Sequence, residues 1–76
     1  MIVYSKSVCP FCVQAKNLLK SKGILFTEIN IEEDSAGREY LVEQSLRSVP
    51  QIFKGDLRIG WFNELKTWLE LKEQTL

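Results

Sequence analysis

Apolar residues run in short blocks along this chain, and their spacing changes from block to block. Ile2 to Ser5 is β-branched and aromatic and predicts a strand. A polar loop follows, then Cys9-Pro10, where proline suits the first turn of a helix. Cys12, Ala15, Leu18 and Leu19 recur at helical spacing with Gln14, Lys16, Asn17 and Lys20 between them, and Gly23 supplies a stop. The spacing predicts a helix over residues 10–22. Leu25 to Ile31 alternates imperfectly and predicts a second strand, parallel to the first through the usual right-handed crossover.

Farther along, Asp34 or Ser35 can cap a second helix, whose less regular apolar face of Ala36, Tyr40 and Val42 to Leu46 reaches about Leu46. Gln51 to Lys54 and Leu57 to Ile59 flank Gly55-Asp56, a two-residue connection that predicts an antiparallel hairpin. Asn63 can cap a last helix, since Trp61, Leu65, Trp68 and Leu69 repeat at i, i+4, i+7 and i+8. There is no repeat, linker or low-complexity tract. The order β-α-β-α-β-β-α predicts an α/β fold, a four-stranded mixed sheet flanked by three helices, in one domain spanning residues 1–76. With Cys-x-x-Cys opening the first helix, that arrangement is thioredoxin-like.

Composition narrows the chemistry. With 45% hydrophobic and 26% charged residues, and no apolar run approaching the roughly 20 residues of a membrane span, a soluble protein without membrane association is expected. Met1-Ile2-Val3-Tyr4 enters a strand-like run without a basic lead or a cleavage site, so a cytoplasmic, reducing setting is expected. There a close cysteine pair reads as catalytic or metal-binding rather than as a structural staple. The chain has no histidine, which removes Ser-His-Asp, Cys-His and histidine-ligated metal chemistry together.

Net charge is zero, so no attraction to nucleic acid is indicated, but the charge is uneven. Residues 1–22 carry Lys6, Lys16, Lys20 and Lys22 and no acid, whereas residues 28–43 hold Glu28, Glu32, Glu33, Asp34, Glu39 and Glu43 against Arg38 alone. The basic segment also contains both cysteines, and a small anionic substrate would suit it. A solvated helix face accounts equally well for Lys16, Lys20 and Lys22.

A thiolate is the species that attacks a disulfide, and three features favour one at Cys9. Cys9 sits where backbone N–H groups of the new helix lack internal partners, so the positive end of the helix dipole faces its sulfur. Lys6 lies three residues upstream. Cys12 falls one turn later on the same side, within reach for resolving a mixed disulfide. Two other readings weigh less. A zinc ribbon would need a second ligand pair from another chain, and two inert buried thiols would not explain Pro10 at the helix start or Lys6 before it.

Tyr4-Ser5-Lys6-Ser7-Val8-Cys9-Pro10-Phe11-Cys12 resembles the active-site segment of the glutaredoxin family. Arg47-Ser48-Val49-Pro50-Gln51-Ile52-Phe53 is similar to the family's segment around its cis-proline, and Ile59-Gly60 with Asn63-Glu64 resembles the segment that binds the γ-glutamyl end of glutathione. Three segments in this order and separation are far more specific than the redox motif alone. The resemblance implies that Lys6 attracts the glycine carboxylate of glutathione, that Phe11 flanks the tripeptide, and that Val49 pairs its backbone with the cysteinyl unit beside a cis Pro50. It places Arg38 near a substrate carboxylate, although a solvated arginine fits equally well. Two departures alter the γ-glutamyl pocket: Trp61 stands where the family usually has a second glycine, and Asn63 where it has an acid or hydroxyl residue. Trp61 either crowds the site or, as its register with Leu65 favours, packs against the last helix. Asn63 keeps the capping role, and its N–H can still meet a carboxylate, so weakened glutathione binding is expected.

The resemblance implies a glutathione-dependent dithiol–disulfide oxidoreductase, with Cys9 as nucleophile and Cys12 as resolver, acting as a monomer on disulfide-bonded or glutathionylated proteins. Glutathione is a co-substrate, and no bound cofactor or metal is expected. A second reading is a redoxin reduced by thioredoxin reductase that serves ribonucleotide reductase, a branch that Gly55-Asp56-Leu57 and Phe62 loosely resemble. An iron–sulfur carrier, two chains sharing a cluster through their Cys9 thiolates and two glutathiones, ranks third, because Pro10 stiffens the motif and Cys12 competes as a thiol.

Overall fold

The computed structural model describes residues 1–74. Its elements are β1 (Ile2–Ser5), α1 (Pro10–Ser21), β2 (Thr27–Asn30), α2 (Ser35–Glu43), β3 (Gln51–Lys54), β4 (Leu57–Gly60) and α3 (Phe62–Gln74). The four strands form one sheet in the order β2-β1-β3-β4. β1 runs parallel to β2 with Val3 opposite Glu28 and Tyr4 opposite Ile29. It runs antiparallel to β3 with Val3 opposite Ile52, and β3 pairs antiparallel with β4 across an irregularity at Ile52 and Phe53.

Alternation along the strands divides the core between the two faces of the sheet. Val3 and Ile52 meet Ala15 and Leu19 of α1 and Leu65 and Leu69 of α3 on one face. Tyr4 and Phe53 meet Leu41 of α2 on the other, where the Tyr4 ring stacks on Tyr40 at 5.7 Å and meets Phe53 edge-on at 5.5 Å. Each fully buried aliphatic side chain here contributes about 1.5–3 kcal/mol.

Helix ends explain where the sequence-based boundaries move. α1 stops as expected: Gly23 takes φ +68°, and Gly23 N–H and Ile24 N–H close onto the carbonyls of Lys20 and Leu19. Of the two expected caps of α2 it is Asp34 that acts, accepting the Gly37 N–H at 2.9 Å, but the helix ends at Glu43 rather than near Leu46. Ser45 adopts a left-handed φ of 60°, which lets Ser45 N–H and Leu46 N–H return to Val42 and Leu41 carbonyls and finish the helix without a glycine. β2 is shorter than the predicted 25–31. Leu25 is 91% exposed on the way out of the α1 closure, and Ile31 begins a turn.

The start of α3 corrects the capping assignment. Trp61, not Asn63, precedes the helix, and its carbonyl accepts the first helical bond from Leu65 N–H. Glu64 reaches back to accept the Trp61 N–H at 3.1 Å, one half of a capping box. Gly60 turns into this start at φ +123°, where a side chain would be strained and its Cβ would meet Glu64 at 3.0 Å.

Beside β1, Ser5 Oγ and Lys16 Nζ both donate to Glu28 Oε2 at 2.7 Å. The Lys16 hydrogen bond, and after it the Ser5 hydroxyl, hold the Glu28 carboxyl below its ordinary 4.5. A depressed folded-state value means that the pair stabilises the fold above about pH 4.5 and that this contribution is lost as pH falls through the lowered value. The carboxylate is partly exposed, so the expected effect is small: Glu28→Gln should cost about 0.5–1 kcal/mol at pH 7. Urea unfolding at pH 7 and pH 3 checks it, since the difference between variant and parent should shrink toward the acid end.

Candidate active site

Cys9 is the N-cap of α1, extended at φ −152° and ψ 94°, with Pro10 as the first helical residue. Pro10 has no N–H to offer, and within the first turn it is the Cys12 N–H that donates to Cys9 Sγ, at 3.1 Å. The Cys9 carbonyl accepts the Val13 N–H. Cys9 and Cys12 are joined as a disulfide with Cα atoms 5.2 Å apart, and neither remains free. Cys9 is 8% exposed and Cys12 1%, so Cys9 is the less buried of the two.

Val49 comes to this pair from the far side. Its carbonyl oxygen lies 3.9 Å from Cys9 Sγ, and the Val49–Pro50 peptide bond is cis. Pro50 is fully buried, leaving half-buried Val49 as the part of that turn available to a ligand. Phe11, 44% exposed, leans on Trp61 with ring centroids 4.7 Å apart and on Phe62 at 6.1 Å. Trp61 therefore stands against Phe11 of the redox motif; its indole Nε1 is buried without a hydrogen-bond partner among the described residues.

Lys6 is exposed in the loop before Cys9 and makes no ion pair among the described residues. Asn63 is exposed as the second residue of α3, where backbone N–H groups lack helical partners. Arg38 is exposed on α2, across the sheet from α1, and no described contact links it to this neighbourhood.

The loop carrying Lys6 is anchored by residues with no obvious signal in the sequence. Glu32 accepts the Ser7 N–H at 2.6 Å, Asn30 Nδ2 donates to Ser7 Oγ at 3.2 Å, and Asn30 Oδ1 accepts the Glu32 N–H at 2.9 Å. A surface cleft of about 590 Å³ bordered by Glu28, Asn30, Glu33 and Asp34 includes neither cysteine. Among the described residues no cluster of three or more Cys, Asp or Glu could hold a metal ion, and no helix is long and apolar enough to cross a membrane.

A cysteine pair at a helix start, facing a cis-proline turn over a four-stranded mixed sheet, marks a thiol–disulfide oxidoreductase of thioredoxin-like architecture. The glutaredoxin family model matches residues 1–59, and the chain belongs to that family. Glutaredoxin 3 of Escherichia coli K12 is 44% identical over 64 residues, covering 83% of this chain and 77% of that relative. Among solved structures, a buckwheat glutaredoxin–glutathione complex superposes with a TM-score of 0.79 at 25% identity, over 93% of this chain and 68% of that one. NrdH-redoxin from Escherichia coli, described for its thioredoxin-like activity profile, matches with a TM-score of 0.78 at 25% identity, over 87% of this chain and 90% of that one.

Proposed function

We propose that this protein is a glutathione-dependent dithiol–disulfide oxidoreductase in which Cys9 attacks and Cys12 resolves. The observation that carries the reading is Cys9 at the helix cap, less buried than Cys12, with its sulfur already accepting the Cys12 N–H at 3.1 Å. That donor and the unpaired N–H groups of the first turn stabilise negative charge on this sulfur.

In the reaction, the Cys9 thiolate attacks one sulfur of a substrate disulfide, whose other sulfur leaves as a thiolate and takes a proton. Cys12, deprotonated, then attacks Cys9 in the mixed disulfide, releasing the substrate thiol and forming the Cys9–Cys12 disulfide seen here. Two glutathiones return the pair to dithiol and leave as glutathione disulfide, so no electron carrier need be bound. A reducing, cytoplasmic setting suits this cycle, and the chain would act as a monomer on disulfide-bonded or glutathionylated proteins.

For the tripeptide, the Val49 backbone beside the cis Pro50 would pair with the cysteinyl unit, Lys6 would attract the glycine carboxylate, and Phe11 would flank it. The γ-glutamyl carboxylate would meet the N–H groups of Phe62 and Asn63, because Glu64 has taken that of Trp61. Arg38 would join only if a substrate extended onto α2. Steady-state turnover of a glutathionylated peptide with glutathione and glutathione reductase tests the reading; folded, reduced protein without turnover would overturn it.

One observation favours a second reading, a redoxin reduced by thioredoxin reductase with ribonucleotide reductase as a client. Trp61 lies against Phe11 at 4.7 Å, over the ground a γ-glutamyl group would occupy, and the likeness to NrdH-redoxin fits. Comparing reduction of the oxidised protein by glutathione and by thioredoxin reductase separates the two readings.

A further inference from the structure

Gln51 is a polar side chain in an apolar place. It opens β3 opposite Tyr4, on the face where Phe53 and Leu41 pack, and is 2% exposed. Burying an amide there is unfavourable unless each of its polar atoms finds a partner, and each does. Its Oε1 accepts the Arg58 Nε–H from β4 at 3.3 Å. Its Nε2 donates to the Ser48 carbonyl at 3.0 Å and to Ser48 Oγ at 3.4 Å. Both donations thus end on the residue immediately before Val49, whose own carbonyl lies 3.9 Å from Cys9 Sγ.

We propose that Gln51 is a positioning residue, a buried clamp that holds the Ser48–Val49 backbone at the height of the Cys9 sulfur so that an extended peptide can pair with Val49 while its own sulfur reaches Cys9. It touches neither sulfur and takes no part in proton or electron transfer. Strand-like pairing places main-chain groups to within a fraction of an ångström, so a turn freed to shift loses peptide affinity before it loses thiol chemistry. The inference rests on the proposed role of Val49 as the peptide-pairing residue.

Its test is a single-turnover experiment, which needs no reductant and so stands apart from the question of what regenerates the dithiol. Fully reduced protein is mixed with increasing glutathionylated peptide, and separately with 2-hydroxyethyl disulfide, which has no backbone to pair. Gln51→Met removes all three bonds. Gln51→Glu keeps the volume and the acceptor for Arg58 but cannot donate to Ser48, so it remains informative if the first variant fails to fold. Both variants should raise the half-saturating peptide concentration about tenfold, or 1.4 kcal/mol. Limiting rate, Cys9 alkylation rate and reaction with the small disulfide should stay within about twofold of the parent. Arg58→Ala, which leaves the Ser48 bonds in place, should keep near-parental peptide affinity. Unchanged peptide saturation in a folded variant, or equal losses with both disulfides, would overturn the proposal.

Discussion

Cys9→Ser is expected to abolish turnover of every disulfide substrate, whereas Cys12→Ser should retain deglutathionylation within about twofold and lose the reduction of protein disulfides by about two orders of magnitude or more. The asymmetry follows from the cap. What Cys12 gives the attacking sulfur is its backbone N–H, at 3.1 Å, and a serine in its place donates the same bond. What it alone supplies as a side chain is the second sulfur, which free glutathione can replace in a glutathione mixed disulfide but not inside a bulky protein adduct. Brief alkylation of the reduced protein followed by mass spectrometry should mark Cys9 first. Labelling of Cys12 first would exchange the two roles.

The second large effect is expected at Trp61. Trp61→Gly should lower the KM for glutathione about tenfold, close to 1.4 kcal/mol, by uncovering the first turn of α3 beside Phe11. Glycine is tolerated at a helix N-cap, and Glu64 can still accept the backbone N–H, so the helix start should survive. Loss of the Phe11–Trp61 contact should cost about 0.5–1.5 kcal/mol of stability beyond the lost burial. Reduction of the oxidised protein by glutathione, followed against concentration alongside thermal unfolding, reads both. An unchanged or raised KM in the folded variant would mean that the indole does not stand over the glutathione site.

Features decided within a few residues were legible in the sequence. Cys9-Pro10 at the opening of α1, Asp34 as the cap of α2, Gly23 as the stop of α1 and Gly55-Asp56 in the hairpin all act through local backbone chemistry, and each lies where expected. The misplacements have one physical origin, which is that hydrophobic pattern marks faces more firmly than ends. Leu25 extends the apolar run that predicted β2, yet it is 91% exposed because the chain is still leaving the α1 closure. Ser45 ends α2 in a left-handed conformation usually given to glycine, so nothing in its identity announced the stop.

At α3 the polar Asn63 drew the cap assignment, although the acid three residues after Trp61 carried the better signal. The side chains holding the site from behind were harder still. Gln51 reads as an ordinary first residue of a strand, and only the folded chain brings Ser48 and Arg58 to its amide. Asn30 and Glu32 lie more than twenty residues from Ser7, and no local pattern joins them.

That last connection binds the reactive loop to β2, one of the two edge strands of the sheet. Native proteins open locally at free energies from near zero up to that of global unfolding, and a strand paired on one side only is expected toward the low end of that range. Such an opening would release the loop from Asn30 and Glu32 with α1, α3 and the two central strands still folded. The amide exchange protection of β2, rather than the melting temperature, is therefore the quantity that should track how often the nucleophile's approach is held in place. A substitution on β2 that leaves the melting temperature untouched could still slow the enzyme.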